Sequence, residues 1–285
     1  MSESYEPGST FKPVTVASAL EEGVVKDGDT YVCKGFETVA DYKLKCHVFS
    51  TIGSHGSLTV EQALMNSCNP YMIHLALEMG NSRFAYYQSL FGFGKITGID
   101  LPGETTGIVY GDRMTTIDAA CNSFGQTINV NMMQMMAAYC SIINGGMLYQ
   151  PHIVKRIESA NGEVVKEYKA NLVRQTITAS TSKLLRRYLK NTVEEGTAKK
   201  AGVTGYSVAG KTGTAQKGDR KDNKWIISFI GHAPAENPKF AIYVVIDEPY
   251  GTTGTSGSSA DVLTLTHNIL EKLLPYMNVY KDASD

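Results

Sequence analysis

The sequence is short of several things at once. Its 285 residues include one tryptophan, nine prolines and five cysteines, and 27 basic residues stand against 28 acidic ones. A net charge of -1 with no basic cluster excludes a nucleic-acid surface, which needs a positive face to meet phosphates. No stretch approaches the roughly 18 consecutive apolar residues of a membrane span. The N-terminus lacks the basic-then-apolar order of a secretory leader. An odd number of cysteines does not make a disulfide framework. What is present, 42% hydrophobic residues, is enough for one large domain with its own core. Met1-Ser2-Glu3-Ser4 reads as an artificial start, so a natural membrane anchor is expected to have been cut away.

Periodicity predicts helices first and a sheet afterwards. Residues 9–22 read as an amphipathic helix ending near Gly23, and 27–57 as an irregular, turn-rich excursion. Residues 59–79 read as helix started by Thr59 and interrupted at Asn69-Pro70, and 82–91 as a further helix. A glycine-rich loop covers 92–112, and an apolar helix covers 131–144, stopped by Gly145-Gly146. Residues 179–195 form another helix, with Ser180 or Thr181 as its cap. After residue 205 come β-rich runs at 206–214, 224–232 and 240–247; one connection is the charged loop 217–223. Such short connections imply antiparallel neighbours. A closing helix spans 259–277. The predicted class is α+β, one domain over 1–285, helical over roughly 9–200 with sheet and closing helix over roughly 205–280.

Three short motifs carry chemistry. Ser9 precedes Lys12 by three residues, just after Pro7-Gly8 and at the head of the first helix. Positions so spaced share a helical face, at the end where the backbone dipole is positive. A hydroxyl becomes a useful nucleophile when a base takes its proton, and a buried lysine of lowered pKa is such a base. Pro13 lacks the N–H that would bond the Ser9 carbonyl in a regular helix. Ser67-Cys68-Asn69 and Lys211-Thr212-Gly213 complete the set. Alone, each has a plain structural reading: a capped helix start, an Asx turn, a strand with a glycine bulge. Ser180-Thr181-Ser182-Lys183 repeats the first spacing and is simply a helix start. All three in order, each in a fitting context, point to one site.

Cys33, Cys46, His55 and Cys68 fall in one stretch, with Asp41 or His47 as alternative members. These are soft ligands suited to zinc, although not at zinc-finger spacing. Reduced thiols, or a Cys33–Cys46 disulfide, are the competing readings. Cys121 and Cys140 read as ordinary buried thiols, and His74, His152, His232 and His267 have no partner in the sequence.

Over nearly its whole length the chain resembles the transpeptidase domain of class B penicillin-binding proteins. Residues 5–12 look like the nucleophile motif, 58–69 like the second motif with its lead-in helix, and 210–216 like the third. Residues 91–94 through 103–104, then 124–127, Gln134 and 144–146, match segments between them. Cys68 within the second motif, with Cys33 and Cys46 upstream, looks most like the sporulation-type branch. The resemblance implies a penicillin-binding protein/serine β-lactamase-like fold, an antiparallel sheet flanked by helices with a mostly helical subdomain. It implies that Ser9 attacks a D-Ala-D-Ala bond, that Lys12 takes the proton and that Ser67 relays it. Asn69 would hold Lys12 and the substrate. Lys211, Thr212 and Thr214 would hold the terminal carboxylate, with Lys211 also lowering the Lys12 pKa, while Gly213 leaves room for a substrate strand. Backbone N–H groups of Ser9 and Thr214 would form the oxyanion hole. Peptidoglycan stem peptides, β-lactams and a membrane glycan-strand synthase are the implied partners, on the extracytoplasmic face of the cell membrane. No cofactor is needed for acyl transfer, and the Cys/His pattern implies a structural zinc. The family's first sheet strands precede its nucleophile motif, but only eight residues precede Ser9, so an exposed sheet edge is expected. A β-lactamase using a loop base such as Glu104, a β-lactam sensor and an inactive scaffold are the alternatives.

Overall fold

Pro13 decides how the chain begins. The computed structural model describes residues 2–218, 224–249 and 258–282, so most of the charged loop 217–223 lies outside the described residues. With no N–H at Pro13 to bond Ser9, the chain tightens into a 3-10 turn, Gly8–Phe11, in which the Lys12 N–H donates to the Ser9 carbonyl. The helix α1 (Lys12–Glu22) starts only after this, with Pro13 in its first turn, where a missing N–H is harmless. Gly23 closes it at φ 77°.

The stretch 27–57, expected to be irregular, is ordered as short strands. β1 (Thr30–Cys33), β2 (Phe36–Val39), β3 (Tyr42–Lys45) and β4 (Gly56–Thr59) pair as β1–β4 and β2–β3, both antiparallel. Gly35 (φ 88°) sits where a Cβ would lie 2.0 Å from the Gly53 carbonyl oxygen, so the fold-back needs glycine. α2 (Val60–Met65) starts with a capping box between Thr59 and Gln62, as its sequence predicts. It breaks at residues 66–68 and resumes as α3 (Asn69–Met79), again with a proline in the first turn. α4 (Asn81–Leu90) and α6 (Met132–Ile143) fall where periodicity puts them. Between them α5 (Thr116–Asn122), which apolar spacing did not announce, is capped by Thr115 and Asp118.

Two small antiparallel pairs follow: β5 (Met147–Gln150) with β8 (Asn171–Gln175), and β6 (Arg156–Glu158) with β7 (Val164–Glu167). α7 (Ala179–Glu194) is capped by Thr178, whose side chain accepts from the Thr181 N–H, and not by the expected Ser180 or Thr181. β9 (Ala209–Lys217), β10 (Lys224–Ala233) and β11 (Phe240–Asp247) form an antiparallel sheet of order β11-β10-β9, and α8 (Ala260–Tyr276) packs on it. Among the described residues β11 has no partner on its outer edge.

Apolar burial divides into two clusters. One gathers the helices, with Phe11, Leu64, Tyr71, Tyr139 and Tyr188 fully or almost fully buried. The other seals Ile227 and Phe229 of β10 against Val262, Leu270 and Leu274 of α8. β10 is buried on both faces from Ile226 to Ala233, as a central strand must be. The two regions meet at the nucleophile turn. A Cβ on Gly213 of β9 would lie 2.8 Å from Thr10 Cγ2 and 2.9 Å from the Pro7 carbonyl oxygen, so the turn carrying Ser9 rests directly on this strand.

Candidate active site

Three distant segments share one cavity of about 350 Å³. Ser9 comes from the 3-10 turn, Ser67 and Asn69 from the α2–α3 break, and Thr212 and Thr214 from β9. The turn is fixed from two sides. Gly8 N–H donates to the Gly125 carbonyl at 3.0 Å, and Thr10 Oγ1 donates to the Pro7 carbonyl at 2.7 Å. Tyr5 OH donates to Tyr243 OH at 2.7 Å and ties the preceding residues to β11.

Lys12 is 0% exposed. Its Nζ donates to the Ser67 carbonyl at 2.5 Å, to Ser67 Oγ at 3.0 Å and to Asn69 Oδ1 at 2.7 Å. Burial lowers its pKa from 10.5 to about 8, so roughly a tenth of it is neutral at pH 7. Ser67 presents both acceptors because its backbone is left-handed, φ 55°, a conformation that costs a non-glycine residue about 1 kcal/mol or more. Asn69 is oriented in turn by its Nδ2, which donates to the Lys45 carbonyl at 3.2 Å.

Lys211 is likewise fully buried, and its Nζ donates to the Thr212 carbonyl at 3.3 Å and to Thr212 Oγ1 at 3.4 Å. It stands behind the cavity wall formed by Thr212 and Thr214. Burial, and then the Lys12 charge, push its pKa well below the usual lysine range. Desolvation is the largest cause for both ammonium groups, and the repulsion between them shows second, on Lys211. Gly213 faces the nucleophile turn and Ser228 Oγ, 2.4 Å from where its Cβ would be; its smallness serves the turn as well as any ligand.

The cavity has further walls that the motifs did not supply: Thr197, Trp225 and Ser259, with His47, Phe124 and Gln126. Thr197 follows Gly196, and a Gly-Thr pair after a long helix is the one signal that could have drawn notice. Ser180 is an exposed neighbour of the α7 cap, outside the cavity. Glu104 also lies elsewhere. Its carboxylate accepts the Thr97 and Gly98 N–H groups at 2.8 and 3.1 Å and so holds its own loop.

One layer behind Ser67 lies a thiol–imidazole cluster. The ligand atoms of Cys33, Cys46, His55 and Cys68 all lie within 4.8 Å of one another. His55 Nδ1 is 3.5 Å from Cys46 Sγ and 3.8 Å from Cys33 Sγ. A zinc ion with Zn–S bonds of ~2.3 Å requires tetrahedral edges of ~3.5–3.8 Å, so the donor set fits this metal in type and size. Cys68 donates to Cys46, lowering the Cys46 pKa and raising its own. Asp41 is left outside the cluster, on the exposed turn between β2 and β3. His47 is also outside it, with Nε2 2.9 Å from the Asn66 carbonyl oxygen and its ring at the cavity.

The penicillin binding protein transpeptidase domain family matches residues 1–271. Stage V sporulation protein D of Bacillus subtilis is 41% identical over 97% of this chain and 43% of its own length. Peptidoglycan D,D-transpeptidase FtsI of Escherichia coli K12 is 32% identical over 99% of the chain and 46% of its own length. The crystal structure of penicillin binding protein 3 from Mycobacterium tuberculosis, complexed with ampicillin, aligns with a TM-score of 0.88 at 28% identity, over 99% of this chain and 64% of that one. The chain therefore spans less than half the length of these curated relatives. Its antiparallel sheet flanked by helices is the fold that the resemblance implies, and the chain belongs to the penicillin-binding protein transpeptidase domain family.

Proposed function

We propose that this chain is the acyl-transfer domain of a D,D-transpeptidase that crosslinks peptidoglycan stem peptides through an ester on Ser9, and that β-lactams acylate the same oxygen. The observation that carries the reading is the wholly buried Lys12, gripped by Ser67 and Asn69 beside a cavity that also holds Ser9, Thr212 and Thr214. Ser9 Oγ attacks the carbonyl carbon of the D-Ala-D-Ala bond and gives its proton to neutral Lys12. Ser67 Oγ, 3.0 Å from Lys12 Nζ, passes a proton to the departing amine. Lys211, Thr212 and Thr214 attract the terminal carboxylate. The backbone N–H groups of Ser9 and Thr214 receive the oxyanion, and one such donor is worth roughly 3–4 kcal/mol of barrier. An acceptor amine then attacks the ester carbonyl and releases Ser9. A β-lactamase would need a water-activating base in the cavity, and Glu104 is engaged by its own loop.

The test is intact-mass measurement after penicillin. Wild type should gain one penicillin, and Ser9→Ala should gain none. A Ser9→Ala variant that still labels would refute the assignment.

A second reading concerns the cluster behind Ser67. Cys33, Cys46, His55 and Cys68 would hold a structural zinc, which would supply no step of the acyl transfer but would tie the β1–β4 region to the second motif. The sporulation protein among the relatives supports a role in sporulation. We place the domain on the extracytoplasmic face of the cell membrane, where stem peptides lie, acting beside a membrane synthase that supplies glycan strands. Among the described residues no helix is long and apolar enough to cross a membrane.

A further inference from the structure

The cavity that holds Ser9 does not end at Thr197 and Ser259. A second trough of about 450 Å³ begins at those same two residues and runs past Gly196, Lys199, Lys200 and Ser258 to Leu263. Its floor is anchored. Thr197 N–H and Thr197 Oγ1 both donate to the Met65 carbonyl, at 3.3 Å each, and a Cβ on Gly196 would lie 2.7 Å from that oxygen. Its link to the reaction centre is direct, since Thr197 Oγ1 is 3.4 Å from Thr212 Oγ1.

The trough carries two basic side chains, Lys199 and Lys200. Arg83, Arg187, Lys190 and Lys217 each pair with a carboxylate. Lys199 and Lys200 are exposed, and among the described residues neither has an ion pair or a side-chain hydrogen bond. Asp261, the acidic residue in the first turn of α8, is not part of the lining.

We infer that this trough binds the acceptor strand, the amine-bearing peptide that resolves the Ser9 ester, by setting one of its carboxylates against Lys199 and Lys200. The inference rests on the transpeptidase reading above. Deacylation reverses the geometry of acylation, so the incoming amine must occupy the place the leaving amine vacates. That place lies beside Thr212 and Thr214, where the departing residue's carboxylate is held. Any acceptor longer than one residue must continue beyond it, and the trough adjoining Thr212 through Thr197 is the continuation. In the step itself the new amide C–N bond forms and the ester C–O bond to Ser9 breaks. The amine proton passes through Lys12 to Ser9 Oγ. The two lysines touch none of the reacting atoms; they select and position the strand.

The experiment uses the full chain, a thioester analogue of the donor peptide, and two acceptor peptides that differ only in a carboxylate beyond the amine-bearing residue, free in one and amidated in the other. Transfer is measured by mass spectrometry over a range of acceptor concentrations. Two solvent-screened ion pairs predict that wild type favours the free acid by roughly threefold to tenfold, seen in the half-saturating concentration. In K199Q/K200Q that preference should fall to about one. Equal use of the two acceptors by wild type overturns the inference without any variant, and so does a preference that survives the double substitution, which leaves the lysines as solvated surface charges. If Ser9 forms no ester with either the thioester or penicillin, the transpeptidase reading has failed and takes this inference with it.

Discussion

His232 should make the stability of this protein fall steeply in mild acid. It lies on β10, 0% exposed, between the helical core and the sheet. Its Nε2 is 3.2 Å from the Ala235 carbonyl oxygen, which can only accept, so Nε2 carries the hydrogen. Nδ1 is then the bare nitrogen that accepts from Tyr139 OH at 2.8 Å. The site is built for a neutral ring. Burial lowers its pKa from 6.5 to about 4, a difference worth about 3 kcal/mol. The sign follows from proton counts. Between pH 4 and 6.5 the unfolded chain binds the proton and the folded one does not, so stability rises with pH across this window and is complete above 6.5. The assay is urea denaturation of wild type and His232→Gln at half-unit steps from pH 4 to 7.5, which cancels the titration of all other groups. The advantage of wild type over the variant should shrink by about 3 kcal/mol on going down that range. Parallel curves, with a constant difference at every pH, would refute the reasoning.

Three further outcomes follow from geometry already given. The rate of penicillin acylation should climb with pH as Lys12 loses its proton, reach half its plateau near pH 8 and nearly vanish in Lys12→Ala; a profile flat between pH 6 and 9 would remove Lys12 as the base. Gly8→Ala should cost more than about 2 kcal/mol, because at φ 56° its Cβ would lie 2.6 Å from the Thr214 carbonyl oxygen; an unchanged melting temperature would show that the turn is not pinned to β9. Prolonged chelation should lower the melting temperature by several degrees and release one zinc per chain, and a metal-free sample that melts at the same temperature would dispose of the zinc reading.

What the sequence revealed depended on the kind of signal each part carries. The segments carrying Ser9, Lys12, Ser67, Asn69 and Lys211–Thr214 were legible as motifs from residue type and spacing, and the fold brings Ser9, Ser67, Asn69, Thr212 and Thr214 to one cavity. α6 and α7 were legible from apolar period, though the α7 cap is Thr178 and not Ser180 or Thr181. β6 and β7 were not, since every residue in them is exposed and no alternation marks an inner face. The strands at 30–59 were hidden by their shortness, four residues each, and by pairings such as β1 with β4 that cross the stretch. Thr197 and Ser259 escaped because they reach the cavity only through the packing of the Gly196 loop and α8. A low Lys12 pKa was legible as the work of desolvation or a nearby cation; which of the two dominates was not, because depth of burial belongs to the assembled core.

Lys12 is tied to its neighbour through a peptide carbonyl as well as through side chains, the Ser67 oxygen at 2.5 Å being its shortest contact. No exchange of side chain at that position deletes a main-chain acceptor. Truncating the hydroxyl would slow proton traffic while leaving the lysine moored, so alanine scanning will under-report how much this segment does. Only a change that swings the local backbone out of its left-handed pose would cast the lysine adrift.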